Sequence, residues 1–195
     1  MIILASASAA RAAMLSAAGV AFEAHPAHVD EPAFKLSLAG QPPARLADAL
    51  AEVKALKLST RYPGELVLGA DQLLVTASGV LLDKPVDRAD GAAQLRTLSG
   101  GEHRLISAAV IAENGRAVWR TEASARLTMR QLSEAFIAVY LDHELPGVLG
   151  CVGSYRIEGR GAQLFSRIDG DHFVVQGLPL LAVLDYLRVR GELLA

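Results

Sequence analysis

The stretch LGADQLLVTASGVLLDKP, residues 68–85, decides the fold, because it combines a repeated strand signal with charged side chains. Residues 66–68 are an apolar run that stops at Gly69-Ala70, and residues 73–75 and 80–82 are further apolar runs on either side of Ser78-Gly79. Short apolar runs bounded by turn-forming residues are typical of buried strands. The pattern predicts two short strands joined by a turn.

Asp71 and Lys84 are the chemical groups of this stretch. Asp71 directly follows an apolar strand, and strand ends are where α/β sheets place their ligand chemistry. Gly69 and Ala70 leave room for another group to approach the backbone closely, and Pro85 favours an extended Lys84. A carboxylate and an ammonium on neighbouring strand ends fit a metal and a phosphate. The alternative is a surface aspartate and a surface lysine on a hairpin.

The composition indicates one domain, or two small lobes that share a core. The chain has 195 residues, 52% of them hydrophobic, and a formal net charge of −2. This charge argues against a nucleic-acid or membrane-surface partner. The one cysteine, Cys151, excludes an intrachain disulfide and is expected to be a small buried residue. Because no apolar run is long enough for a signal peptide or a membrane span, we expect a cytoplasmic protein.

The first 20 residues predict an anion site. Residues 2–5 read as a buried strand, and Ser8 is a good N-cap for a helix that ends at Gly19. The free N–H groups of a helix N-terminus favour a phosphate. Arg11 would lie in the first turn, where a cation opposes the helix dipole unless an anion compensates it. The alternative is a capped helix with a solvated arginine, and the two common glycine-rich nucleotide loops are absent.

The segment HPAHVDEP, residues 25–32, is dense in potential ligand atoms. His25, His28 and Asp30 could bind a transition metal, although the partner ligands typical of zinc are missing. Asp30 and Glu31 could instead supply oxygen ligands to Mg²⁺ or Mn²⁺. A solvated polar loop is the commoner structure for such a segment.

Apolar residues at helical spacing predict a long helix over residues 44–60. Lys54 adjoins its apolar stripe, where a lysine can extend its ammonium to solvent or point into a cleft. Further helices are predicted over 88–98 and 134–141, and a last one that starts within 174–179 and runs to 190. Strands are predicted over 103–112, 117–129 and 154–157. The Asn114-Gly115 turn requires an antiparallel hairpin, so the predicted sheet is mixed.

Eight segments together resemble the Maf family of nucleoside triphosphate pyrophosphatases over almost the whole chain. They are LASAS at 4–8 with Arg11, Val29-Asp30-Glu31, Lys54, GADQ at 69–72, Lys84-Pro85, LSG at 98–100 with His103, GSYRIEGRGAQLF at 153–165 and VVQGLPL at 174–180. None of these segments is specific alone, and the resemblance depends on their order and spacing.

The resemblance implies a Maf/ITPase-like fold in a single domain over residues 1–195. In this fold a mixed twisted sheet with flanking helices forms two lobes around a deep cleft. The implied reaction is hydrolysis of a nucleotide between the α- and β-phosphorus, which gives a monophosphate and diphosphate. The implied cofactor is a divalent cation, Mg²⁺ or Mn²⁺. The implied partner is the nucleotide, with no nucleic acid, no membrane and a possible homodimer.

The same resemblance assigns roles to residues. Asp71 matches the general base, and Glu31, together with Asp71, matches the metal-binding carboxylates. The phosphate-handling set corresponds to Ser6, Ser8, Arg11, Lys54 and Lys84. Cations and a metal in one cleft can hold a triphosphate and stabilise the charge of the transition state. An unperturbed aspartate is a weak base at pH 7, so its use suggests a metal-activated water.

Three positions are implied to set the substrate. Gln72 and Glu158 resemble the 7-methyl-GTP pyrophosphatase branch, whereas the pyrimidine branch has Thr and Gln there. Ala10 departs from the pattern, because the 7-methyl-GTP branch tends to have Trp, whose ring can stack on a cationic base. Ala9 and Ala12 also replace a proline and a second arginine of the family pattern.

Two other functions remain open. The chain could be a pyrophosphatase that prefers dTTP or UTP. It could also be a nucleotide-binding regulator of cell division with little turnover, since the family is associated with septum formation. Retention of Asp71 favours catalysis, because a pure binder does not need a water-activating acid.

Overall fold

The computed structural model describes residues 1–194, which form a mixed α/β structure. The strands are β1 (Ile2–Leu4), β2 (Phe22–Ala24), β3 (Leu66–Thr76), β4 (Leu81–Leu82), β5 (Glu102–Glu113), β6 (Arg116–Met129) and β7 (Phe165–Asp169). The α-helices are α1 (Ala9–Ala17), α2 (Glu31–Ser37), α3 (Pro43–Ser59), α4 (Arg88–Leu98), α5 (Glu134–Glu144), α6 (His172–Val175) and α7 (Leu180–Val189). Short 3₁₀ turns cover Gly147–Gly150, Val152–Ser154 and Arg160–Leu164. Within residues 1–194 no helix has both the length and the apolar character needed to cross a membrane.

The strands form one mixed sheet in the order β2-β1-β3-β5-β6-β7, and β4 pairs with β3. β1 is parallel to β2 and to β3, whereas β4 is antiparallel to β3 and β7 is antiparallel to β6. Asn114 and Gly115 join β5 to β6 with φ angles of 50° and 76°, as the two-residue hairpin turn requires. The predicted mixed α/β class is confirmed.

The chain divides into two compact units, which are described separately. Unit 1 comprises residues 1–72, residues 106–123 and the chain from Gly177 onward. Unit 2 comprises residues 73–105 and 124–176.

Unit 1 contains the parallel pairs β1–β2 and β1–β3 and the helices α1, α2, α3 and α7. β1 is fully buried, as its apolar sequence predicts. Ser8 caps α1 and accepts a hydrogen bond from the N–H of Arg11. The predicted long helix is present as α3, and its buried positions, from Leu46 to Ser59, recur every three or four residues.

β3 corrects the interpretation of the central stretch. The strand does not end at Gly69-Ala70 but runs unbroken through Asp71, so this acid lies in mid-strand and is buried. The space at Gly69 is filled by α3, because a Cβ there would lie 2.1 Å from the carbonyl oxygen of Ala51 and 2.7 Å from the backbone nitrogen of Ala55. Gly69 therefore allows close helix–strand packing and does not leave room for a ligand.

Unit 2 contains the hairpin of β3 and β4, whose predicted turn at Ser78-Gly79 is present. It also contains α4 over the predicted residues and α5, which begins at its predicted cap, Ser133. The strand predicted over 154–157 is wrong, because Ser154 has a left-handed backbone with a φ angle of 61° that no strand accommodates. Cys151 is half-buried.

The last predicted helix is two helices in the structure. α6 covers His172–Val175, and α7 begins only at Leu180, after Pro179. Gly177, with a φ angle of 100°, lies between them. A positive φ interrupts a right-handed helix. The predicted helix therefore begins later than expected, at Leu180, and ends at Val189, close to its predicted end.

Candidate active site

The position of Asp71 follows from the alternation of side chains along β3. Because alternate residues of a strand point to the same face, Asp71 lies on the face of Gly69, which α3 covers. On α3, Lys54 neighbours Ala51 and Ala55 on one helical face. The Nζ atom of Lys54 donates a hydrogen bond of 2.6 Å to Oδ1 of Asp71. The small residues that let helix and strand meet thus also bring this ion pair together.

Glu31 completes a three-residue charge cluster with Lys54 and Asp71. It lies in the first turn of α2, whose N-cap is Asp30. Oε1 of Glu31 is also 2.6 Å from Nζ of Lys54, so one ammonium contacts two carboxylates. Lys54 is 9% exposed and Asp71 is 5% exposed. Buried charges of this kind are stable only when they are paired.

The cluster fits a divalent cation with hard oxygen ligands. Two carboxylate oxygens converge on one point that a cationic group already occupies. Mg²⁺ is typically bound through one or two carboxylates, with water and substrate phosphates as the other ligands. Across residues 1–194 no three His, Cys, Asp or Glu side chains converge as a metal-binding group.

The alternative metal site in residues 25–32 finds no support in the structure. Nε2 of His25 lies 3.1 Å from Oε2 of Glu23, and its ring packs against Tyr62. The backbone oxygen of His28 accepts a hydrogen bond from Lys57. Asp30 acts as a helix cap, accepting from the N–H of Ala33 at 3.1 Å. These contacts are structural, and no transition-metal site is assembled in this described segment.

Arg11 is buried, and the solvated arginine of the alternative interpretation is wrong. Its Nε donates to the carbonyl oxygen of Gly177 at 2.8 Å. Its Nη1 donates to the carbonyl oxygen of Ala70 at 2.9 Å and to Oγ of Ser6 at 3.1 Å. Burial lowers the pKa of Arg11, while the charges of Asp71 and Glu31 raise it. The guanidinium therefore ties α1 to β3 next to the charge cluster.

The two serines between β1 and α1 organise the turn. Oγ of Ser6 accepts from the N–H of Ser8 at 3.2 Å as well as from Arg11. Oγ of Ser8 accepts from the N–H of Arg11 at 3.4 Å. This turn follows the carboxyl end of β1, the edge at which parallel strands present ligand-binding groups.

Two predicted specificity residues also lie in unit 1. Gln72 follows Asp71 in β3 and so points to the opposite face of the strand, where its Nε2 donates to Oγ of Ser107 at 3.2 Å. Ala10 is half-buried in the first turn of α1.

Lys84 and Glu158 belong to unit 2. Lys84 is exposed and stands between Asp83 and the buried Pro85. Glu158 is also exposed, and its Oε1 accepts a hydrogen bond from Nε of Arg156 at 3.3 Å.

Two contributors to the site were missed in the sequence. Gly177 supplies the carbonyl that holds Arg11, and a Cβ added to it would lie 3.5 Å both from Nη2 of Arg11 and from Oε1 of Gln72. Ser107 supplies the partner of Gln72. A glycine inside a helical pattern was the one available signal, whereas Ser107 lies within the buried run of residues 105–112 without any signal.

Comparisons with known proteins agree over nearly the full length. The family described as Maf-like protein matches residues 1–190. The chain is 54% identical over 192 residues to "Nucleoside triphosphate pyrophosphatase 1" of Jannaschia sp. (strain CCS1), covering 97% of this chain and 96% of that protein. It is 50% identical over 193 residues to "Nucleoside triphosphate pyrophosphatase" of Paramagnetospirillum magneticum, covering 98% and 99% of the two chains.

A third relative carries a more specific name. The "7-methyl-GTP pyrophosphatase" of Rhizobium etli is 45% identical over 194 residues, covering 98% of this chain and 97% of that protein. Among solved structures, a HAM1 protein from Coxiella burnetii has a TM-score of 0.42 and 15% identity, covering 66% of this chain and 72% of that chain, a likeness too weak to carry an argument. The full-length match and the identity to these relatives show that the chain belongs to the Maf family.

Proposed function

We propose that this chain hydrolyses the α–β phosphoanhydride of a nucleoside triphosphate, producing a nucleoside monophosphate and diphosphate. It is then a hydrolase acting on acid anhydrides, as the names of its relatives indicate for them. The observation that carries the proposal is the contact of one buried ammonium, Lys54 Nζ, with both Asp71 and Glu31 at 2.6 Å.

The cluster is suited to in-line attack of water on a phosphate. Asp71 is fixed in the middle of a strand and held by Lys54. Its carboxylate, held in this position, can orient a water and accept its proton. Asp71 and Glu31 would hold the divalent ion, which, when bound, lowers the pKa of a coordinated water. Asp71 then needs only to be a modest base.

Lys54 and Arg11 provide the positive charge for the phosphates. Lys54 is held at the carboxylates by two ion pairs, so its ammonium stays close to the site of reaction. Arg11 is preorganised by three hydrogen bonds, and preorganised charge stabilises a transition state without reorganisation. Ser6 and Ser8 shape the turn beside them. Lys84 is retained in the phosphate-handling set on the resemblance alone.

We propose 7-methyl-GTP as the preferred substrate. The Rhizobium etli relative of that name supports this choice, as do Gln72 and Glu158. Gln72 is held by Ser107, which fixes its amide for recognition of a base. Ala10 leaves no aromatic ring at the third position, so a pyrimidine triphosphate is the competing substrate. Location in the cytoplasm and assembly as a homodimer stay predictions.

The test is diphosphate release from 7-methyl-GTP and the canonical triphosphates with Mg²⁺, with Mn²⁺ and with EDTA. We expect turnover of 7-methyl-GTP that EDTA abolishes. Preference for UTP or dTTP would contradict 7-methyl-GTP as the preferred substrate but not the proposed hydrolysis. Undiminished turnover in EDTA would contradict the proposed need for a divalent metal ion. Nucleotide binding without any diphosphate release would contradict the reaction and favour a regulatory role.

A further inference from the structure

The backbone around Lys84 is fixed on both sides, although its side chain is exposed. On one side, the carbonyl oxygen of Asp83 accepts a hydrogen bond of 3.1 Å from Nε2 of Gln94. On the other side, the N–H of Val86 donates to Oδ2 of Asp90 at 3.0 Å. An exposed hairpin end without a function does not need two anchors to a helix. These two hydrogen bonds fix the backbone from which the Lys84 side chain extends.

The buried Pro85 adds to this restriction. The proline ring fixes its own φ and restricts Lys84 to an extended backbone. A lysine loses much conformational entropy when its ammonium is held in one place. Fixing its backbone in advance lowers the entropy still to be lost on binding a phosphate.

Gln94 is itself held in one orientation. It lies on the buried face of α4 and is 7% exposed. Its Oε1 accepts a hydrogen bond of 3.0 Å from Oγ of Ser154. Its Nε2 donates to the carbonyl oxygen of Asp83 and, at 3.5 Å, to Oδ2 of Asp90. Because the oxygens of Asp83 and Asp90 only accept, reversing the amide would place its Oε1 against acceptors and lose these bonds.

Ser154 occupies an unusual backbone conformation to make this contact. It is 0% exposed and has a φ angle of 61°, which is uncommon for a residue other than glycine. Ser154 packs against α4 at Gly91, where a Cβ would make an ordinary contact of 3.5 Å with Oγ of Ser154. Backbone strain of this kind persists where surrounding contacts enforce it, often near functional residues.

We propose that Gln94 and Ser154 are positioning residues that, through the carbonyl of Asp83, set the backbone from which Lys84 reaches a phosphate. The proposal rests on the proposed function, in which Lys84 handles the phosphates of the nucleotide. Ser154 orients Gln94, Gln94 holds Asp83, and Asp83 fixes the residue that follows it.

The central test uses Gln94→Met, which keeps the length of the side chain and removes its hydrogen bonds to Asp83, Asp90 and Ser154. Gln131→Met, at an exposed position of the same unit, is the matched control. We expect Gln94→Met to speed amide exchange at residues 83–87 and to lower kcat/KM by about ten-fold, mainly through KM. The control should change neither. Ser154→Ala removes one hydroxyl and should act in the same direction to a smaller extent, which keeps the test possible if Gln94→Met does not fold.

Coupling to Lys84 separates positioning from a merely structural role. In a Lys84→Met background, Gln94→Met should cause little further loss of kcat/KM or of affinity for inorganic triphosphate, because both changes disable the same group. Fully additive losses, unchanged exchange at 83–87, or a Lys84→Met enzyme as active as the parent would overturn the inference.

Failure of the proposed function is recognised independently. If the parent protein releases no diphosphate from any nucleotide, the proposed reaction fails, yet exchange at 83–87 and affinity for inorganic triphosphate still measure the positioning. If the parent is active and the two substitutions are additive, the positioning fails and the reaction stands.

Discussion

At the scale of single residues, the main feature of the candidate site is its ion pairs inside unit 1. Lys54, Asp71 and Glu31 form a cluster in which two carboxylates share one ammonium. Removing one member of a buried ion pair is costly because the remaining charge stays desolvated. In the proposed mechanism these residues couple stability to activity. Their substitutions must therefore be chosen so that the effects of shape and of charge are separated.

Asp71→Asn removes the acid with almost no change of volume. We expect turnover to fall by at least about 100-fold, the contribution typical of a general base, while the nucleotide still binds. Diphosphate release and the binding of a non-hydrolysable triphosphate analogue measure the two effects.

Asp185→Asn is the matched control, because Asp185 is an exposed residue of the same unit that pairs with Arg188. It should leave turnover unchanged. Undiminished turnover in Asp71→Asn would remove Asp71 as the base.

At the scale of elements, the packing of α3 on β3 positions the site. Lys54 reaches Asp71 because the backbone of α3 at Ala51 and Ala55 lies directly on Gly69. This contact depends on small side chains on both elements, so the separation between helix and strand is part of the geometry of the site.

Gly69→Ala should therefore disturb stability and activity together. The added Cβ would lie 2.1 Å from a backbone oxygen, which cannot move away as a side chain could. We expect a loss of about 3 kcal/mol or more in the free energy of unfolding, at the upper end of overpacking effects. Chemical denaturation measures it.

Gly150→Ala is the control for Gly69→Ala. Its added Cβ has no neighbour within 4 Å, and its φ is not in the left-handed region. Its stability should change by less than about 0.5 kcal/mol, as is usual for surface substitutions. Equal stability of the two variants would mean that α3 can move away from β3.

At the scale of the whole molecule, stability should depend on a buried histidine of unit 2. His103 is 2% exposed, with Nε2 bonded to the hydroxyl of Tyr155 at 2.8 Å and its ring against Phe165. Its Nδ1 is buried and lacks a hydrogen-bond partner among residues 1–194. Burial lowers the pKa of His103 to about 4, so the folded protein holds this ring neutral.

Acidification should consequently destabilise the protein through His103. The unfolded chain, with a histidine pKa near 6.5, binds a proton that the folded chain excludes until about pH 4. The contribution is complete above about pH 6.5 and is lost as the pH falls toward 4, to a total of about 3 kcal/mol. Urea denaturation across this range measures it.

His103→Gln supplies the reference for this titration, since glutamine remains neutral throughout. The difference in unfolding free energy between parent and variant should shrink as the pH falls from 7 to 4. A difference that is independent of pH would contradict the buried neutral state.

The amino-acid sequence by itself determined the local elements and the inventory of charged groups. Apolar periodicity, caps such as Ser8 and Ser133, and the Asn114-Gly115 turn act over a few residues, so they predicted α3, α4, α5 and the β5–β6 hairpin. The order of the motifs likewise identified the family, because it depends on the sequence alone.

Only the tertiary structure decided which groups meet. Lys54 and Asp71 are 17 residues apart, and their contact depends on the approach of α3 to β3. The buried Arg11 donates a hydrogen bond to the carbonyl oxygen of Gly177, 166 residues away. Gly69 looked like the end of a strand because a glycine interrupts an apolar run whether the strand stops or a helix packs on it. Local patterns cannot distinguish these cases, since burial and ion pairing are set by distant parts of the chain.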